Sequence, residues 1–128
     1  MPATSVKQRK ILLVEDEESI AFPLSKLLER RGFSVNWQST GSGGLSVFES
    51  DETIDLVLLD IMLPDMSGWN VLDMMEKYMK SVDPRPSTSF IVLSADSRAA
   101  KKAHEETISF VPKPINFEDL MKRIEALQ

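Results

Sequence analysis

Glu15 and Asp16, Asp60, Ser94 and Lys113 each stand where an apolar run stops: KILLV ends before the acid pair, LVLL before Asp60, FIVL before Ser94 and FVP before Lys113. Three carboxylates, a hydroxyl and an ammonium are equipment for a divalent cation and a phosphoryl group. Crowded carboxylates repel one another until a cation neutralises them, and a carboxylate is a weak nucleophile unless the charge of transfer is stabilised. Mg2+ (or Mn2+) takes oxygen ligands and can bridge such acids to a phosphate oxygen. Lysine adds a compact point charge on a long stem, and a hydroxyl adds a donor.

The elements that must position these residues are legible in outline. The apolar runs are short, rich in Val, Ile, Leu and Phe, and without helical period, as expected of strands buried on both faces of a parallel sheet. Ligands of such sheets bind beyond the carboxyl ends of the strands, so the five residues should converge on one crevice. Between the runs lie amphipathic segments. Ile20, Leu24, Leu27 and Leu28 predict a first helix that faces inward and stops at Gly32; FSVNW predicts the second strand; Leu45, Val47 and Phe48 predict a short helix after STGSGG. Pro64 and Gly68 punctuate a loop after the third strand and open a helix with a buried stripe at Leu72, Met75 and Met79. Ser81 to Ser89, with Pro84 and Pro86, reads as a loop. Ala99, Ala100 and Ala103 offer little to bury, which predicts a short, loosely anchored helix between Ser97 and Glu106. Asn116 is an N-cap for a last helix facing inward through Phe117, Leu120, Ile124 and Leu127. Met74, Met75, Met79 and Met121 are expected to fill the core and His104 to lie in solvent. Alternating strands and helices with short connections give right-handed crossovers and an α/β three-layer sandwich.

Composition bounds the rest. The 128 residues fit one core, burying about two thirds of the unfolded surface. Residues 1–9 are expected to form a polar N-terminal extension and residues 10–128 a single domain. A net charge of −5 argues against direct nucleic-acid binding or adsorption to anionic membranes. The absence of cysteine excludes thiol redox chemistry, disulfides and thiolate metal sites. No run approaches the length of a membrane span, so a cytoplasmic protein without membrane insertion is expected.

ILLVEDEESI, DLVLLDIMLPDMSGW, FIVLSAD and FVPKPI, in that order, resemble the four signature segments of the response-regulator receiver domain of two-component signalling, CheY-like in fold. The resemblance runs from Lys10 to Leu127. It implies a flavodoxin-like, five-stranded parallel sheet of order 2-1-3-4-5 with five helices, and makes residues 10–128 a receiver. It further implies that Asp60 accepts a phosphoryl group, that Glu15, Asp16, Asp60 and the main-chain carbonyl of Met62 bind the metal, and that Lys113, Ser94 and the main-chain amide of Ala95 contact phosphate. Phe110 would be the switch aromatic, and the Lys113–Pro114 bond is the candidate for a cis peptide. The implied module catalyses only its own phosphoryl transfer and dephosphorylation. Its partners would be a histidine kinase or histidine phosphotransfer protein and a further protein target, with the chain itself a monomer or weak homodimer.

The chain departs from the family pattern in three places. The stretch from Ser94 to Phe110 is short and lacks the glycine usual before the switch aromatic; Pro23 falls inside the first helix; Phe replaces the commoner Tyr at position 110. Bland readings stand beside the functional ones: Glu15 and Asp16 as caps of the first helix, Ser94 as a strand end, Phe110 as core. Three other classes are weighed. A degenerate receiver would act as an interaction module without phosphate. A hydrolase working through an aspartyl phosphate would want an acid where Met62 stands. A flavodoxin-like cofactor binder would want a phosphate loop where EDEES is acidic.

Overall fold

A computed structural model of the protein describes residues 9–82 and 87–127. Five strands alternate with five helices: β1 Lys10–Val14, α1 Glu18–Arg30, β2 Ser34–Gln38, α2 Gly41–Ser50, β3 Leu56–Asp60, α3 Gly68–Ser81, β4 Ser89–Ser94, α4 Ser97–Glu105, β5 Ser109–Pro112 and α5 Phe117–Ala126. All neighbouring strands are parallel, in the order β2-β1-β3-β4-β5. This is the flavodoxin-like sandwich expected from the alternation of patterns.

Strand side chains alternate between the two faces. Ile11, Leu13, Leu56, Leu58, Ile91 and Leu93 pack under α1 and α5, whereas Leu12, Val14, Val57 and Leu59 pack under α2 and α3. Every residue of β3 is buried, which is why its run shows no polar alternation. Since all the strands run the same way, each strand end that carries a polar residue opens on the same edge of the sheet. The central β3 places Asp60 in the middle of that edge.

The helices require several corrections. Leu27, expected inward, is 38% exposed, and the buried face of α1 is Ala21, Leu24 and Leu28. Met74 is 48% exposed rather than core; Val71, Leu72 and Met75 form the buried face of α3, with Met79 only partly buried. In both cases the apolar stripe is wider than the face the sheet covers. Pro23 neither delays nor ends α1, which runs through it with Pro23 on the exposed side. Ala100 is half-buried, while Ala99 and Ala103 hold α4 to the sheet. His104 is exposed, and Asn116 caps α5 by accepting from the Asp119 amide at 3.0 Å. Residues 1–8 of the expected extension, and Pro84 and Pro86 of the expected loop, lie outside the described residues. The Lys113–Pro114 peptide is cis.

The end of α4 exposes a local conflict between sequence and backbone. The Ile108 amide donates to Ala103 O at 2.8 Å and the Thr107 amide to His104 O at 3.2 Å, the paired bonds of a Schellman cap. That cap requires a left-handed residue, and Thr107 takes it with φ +57°. A β-branched residue there crowds its own carbonyl. Gly32 fills the corresponding place after α1 with φ +94° and no such strain. Thr107→Gly is therefore expected to stabilise the fold by up to about 1 kcal/mol, the relief of roughly 1–2 kcal/mol less the added chain entropy of glycine. Urea denaturation checks this, and a loss of stability would contradict it.

Candidate functional site

β1 stops at Val14 and turns into α1, leaving Glu15 and Asp16 at the carboxyl edge; Asp60 closes β3, Ser94 closes β4, and Lys113 follows β5. The main chain fixes each of these ends. The Glu15 amide donates to Gln38 O at 3.0 Å and the Lys113 amide to Ser94 O at 2.9 Å. Trp37 Nε1, on β2, donates to Glu15 O at 2.7 Å. The loop after Asp60 turns so tightly that a Cβ on Gly68 would fall on the main-chain carbonyl of Asp60. Glycine is obligatory there for close approach rather than for its φ.

The structure brings the expected residues together. Carboxylate oxygens of Glu15, Asp16 and Asp60 lie within 4.8 Å of one another. Lys113 Nζ sits 2.6 Å from Glu15 Oε1 and 3.4 Å from Asp60 Oδ1. Glu15 is 0% exposed, Asp60 and Ser94 are each 3% exposed, and Asp16 is open to solvent. A cleft of about 340 Å³ is lined by Asp16, Glu17, Asp60, Met62, Ser94, Ala95, Asp96 and Lys113. Ser94 Oγ accepts from the Asp96 amide at 3.0 Å, which leaves its own proton free to donate. Met62 donates its amide to Asp60 Oδ1 at 3.2 Å, and its side chain is 73% exposed at the rim. Phe110, opposite Val92 in β5, is half-buried.

Neither member of the acid pair caps α1. Its N-cap is Glu17, without a side-chain cap bond, and Glu15 Oε2 instead accepts from the Glu17 amide at 3.1 Å. Sequence reasoning did not single out Trp37, because an indole on a strand carries no sign of the distant carbonyl it will meet. It also passed over Asp65, a turn residue by type, whose carboxylate reaches the first turn of α2.

The electrostatics are unbalanced. Burial raises the pKa of Glu15 against the opposing pull of Lys113, and burial likewise raises Asp60 against Lys113 and the Met62 amide. Burial acts to lower Lys113, but Glu15 and Asp60 outweigh it and the ammonium is held above its ordinary value. One cation thus faces three acids. Lys113 Nζ, 2.6 Å from Glu15 Oε1, ion-pairs with that buried oxygen and stands farther from Asp60, at 3.4 Å. Three carboxylates within 4.8 Å of one another, answered by one ammonium and with Asp16 facing solvent, form a hard, oxygen-only donor set that fits a divalent cation such as Mg2+.

Residues 11–125 match the response regulator receiver domain family. The chain belongs to that family. The sensory transduction protein RegX3 of Mycolicibacterium smegmatis is 38% identical over 120 residues, covering 91% of this chain and 49% of that protein. The transcriptional regulatory protein CusR of Escherichia coli is 30% identical over 118 residues, covering 92% and 50%. The chain therefore spans about half the length of these curated relatives. Among solved structures, the non-phosphorylated HemR receiver domain of Leptospira biflexa matches with TM-score 0.78 and 30% identity over 93% of each chain. The receiver domain of the hybrid histidine kinase CckA matches with TM-score 0.73 and 27% identity over 91% of this chain and 96% of that one. Receivers are signalling modules of two-component systems that interact with histidine kinases. Mg2+ binding and an aspartyl phosphate are general features of the family. Among the described residues no helix is long and apolar enough to cross a membrane.

The raised acids give the metal-free receiver a defined pH response. A carboxyl whose folded pKa exceeds its unfolded value keeps a proton that the unfolded chain has lost, so stability falls as pH climbs from near 3.8 through the raised value of Asp60. Each unit of such a shift amounts to about 1.4 kcal/mol. In EDTA, Asp60→Asn is expected to flatten this fall and to exceed the parent in stability at neutral pH. Denaturation at pH 4.5 and pH 7 checks the sign; a less stable variant at pH 7 would contradict it.

Proposed function

We propose that this receiver accepts a phosphoryl group on Asp60 from a phosphohistidine of a histidine kinase or phosphotransfer protein, and thereby changes the surface it offers to a further protein target. The observation that carries this reading is the buried Asp60 carboxylate, 3.4 Å from Lys113 and within 4.8 Å of the acid pair, at the foot of an open cleft. In the transfer an Asp60 carboxylate oxygen forms the new O–P bond while the donor N–P bond breaks and its electron pair returns to the imidazole. Loose transition states of this kind need positioning and charge stabilisation more than covalent help.

Each neighbour has a part. Glu15, Asp16, Asp60 and the Met62 carbonyl would hold Mg2+, which supplies neutralisation of the crowded acids and of the phosphoryl oxygens. Lys113, placed between Glu15 and Asp60, would turn toward a phosphoryl oxygen. Ser94 Oγ and the Ala95 amide would donate to another. Recruiting the Ser94 hydroxyl to the phosphoryl group would draw it away from the Asp96 amide at the head of α4. The half-buried Phe110 beneath α4 would then move inward, a shift between two packings driven by added charge. The reading confines catalysis to the module's own phosphorylation and dephosphorylation and places it in the cytoplasm.

Incubation with acetyl phosphate, followed by intact mass, tests the proposal. A gain of one phosphoryl group is expected that needs both Mg2+ and Asp60, with none on Asp60→Asn. No gain under conditions that label another receiver would favour a phosphate-independent interaction module.

A further inference from the structure

The loop from Ile61 to Ser67 carries Met62 and is closed on itself. The Gly68 amide donates to Ile61 O at 2.7 Å, and Met62 bridges to Ser67 in antiparallel fashion. From this loop Asp65 reaches across to α2, where Oδ1 accepts the Gly41 amide at 2.8 Å and Oδ2 accepts the Ser42 amide at 2.9 Å. The first turn of α2 contains no acidic residue of its own, and its N-cap Thr40 accepts the Gly43 amide through Oγ1 and the Gly44 amide through its carbonyl, which leaves the Gly41 and Ser42 amides to Asp65. A residue 24 positions away thus supplies the anion that the helix N-terminus favours.

α2 is in turn locked to the acid pair. Gly44 lies so close to Val14 that an added Cβ would come within 2.7 Å of Val14 Cγ2, and Val14 is the residue before Glu15. Gly41 lies equally close to Met66 of the loop, whose Cγ would be 2.6 Å from such a Cβ. Two segments far apart in sequence, one bearing Glu15 and Asp16 and the other Met62, are therefore both referred to the N-terminal turn of α2.

We propose that Asp65 is a positioning residue for the metal centre: by clasping the Gly41 and Ser42 amides it fixes the separation of the Met62 loop from Glu15 and Asp16. The inference rests on the receiver reading, since it needs Mg2+ to bind among those residues. Asp65 touches neither metal nor phosphoryl group. It acts through the loop, as outer residues of metal sites do when they orient a ligand. Linkage makes the effect reciprocal, so metal binding should tighten the clasp.

The test is a Mg2+ titration of the full chain followed by tryptophan fluorescence and by amide NMR, on the parent, Asp65→Ala, Asp65→Asn and Thr40→Ala. Asp65→Ala is expected to bind Mg2+ roughly tenfold more weakly. Asp65→Asn, which keeps one acceptor, should fall between, and carries the test if the alanine variant does not fold. Thr40→Ala removes a cap from the same helix without touching the loop and should keep the parent affinity. In the parent, Mg2+ should slow hydrogen exchange at Gly41 and Ser42, and in Asp65→Ala it should not. Parent-like affinity in both Asp65 variants, or an equal loss in Thr40→Ala, would overturn the inference. Absence of saturable binding by the parent would overturn the metal reading itself, and this inference with it.

Discussion

Burying the Glu15 and Asp60 carboxylates at one edge of a parallel sheet, with a single ammonium to answer them, is the constraint around which the molecule is built. Isolated charges are driven out of such surroundings or forced to take up protons. Here the carboxylates are held in place because the apolar runs that precede them, residues 11–14 and 56–59, are buried and packed on both faces, so their ends cannot retreat toward water without uncovering the core. The stability of the hydrophobic layers sustains an electrostatic imbalance at their edge. Lys113 offsets part of it, and the remaining negative charge makes the edge receptive to a divalent cation.

The connections at that edge are shaped by the same demand. Gly68 lets the loop after β3 fold back against the Asp60 carbonyl. Trp37 anchors the Glu15 carbonyl from the neighbouring strand. Asp96 caps α4 and is bound by the Arg98 guanidinium, whose hydrogen bonds, with that of its amide, hold the carboxyl below the usual range. These contacts fix the main-chain geometry around the cleft. By contrast α4 packs on the sheet through two small side chains, Ala99 and Ala103, and ends in a turn strained at Thr107.

The runs ending at Val14, Leu59 and Leu93 revealed the sheet, its direction and the location of the site, because a fully buried parallel strand leaves a continuous apolar signature. The convergence of Asp60, Lys113 and the acid pair followed from that geometry. Helix faces were less legible: Leu27 and Met74 continue an apolar stripe past the covered area, and periodicity alone does not mark where coverage ends. Thr107 was invisible because its left-handed φ is imposed by the cap that closes α4, against its own preference. Asp65 and Trp37 were invisible as site-shaping residues because their partners lie 24 and 22 positions away, and local sequence holds no trace of such contacts.

The most direct measurement is the unfolding temperature at neutral pH as a function of free Mg2+, with sodium chloride at matched ionic strength as the reference. A ligand that binds only the folded state raises stability by mass action. The charge imbalance predicts a saturable rise with Mg2+ that sodium does not reproduce and that Asp16→Asn greatly weakens. An unchanged unfolding temperature, or a rise that sodium chloride matches, would contradict the view that the buried acids form a divalent metal centre.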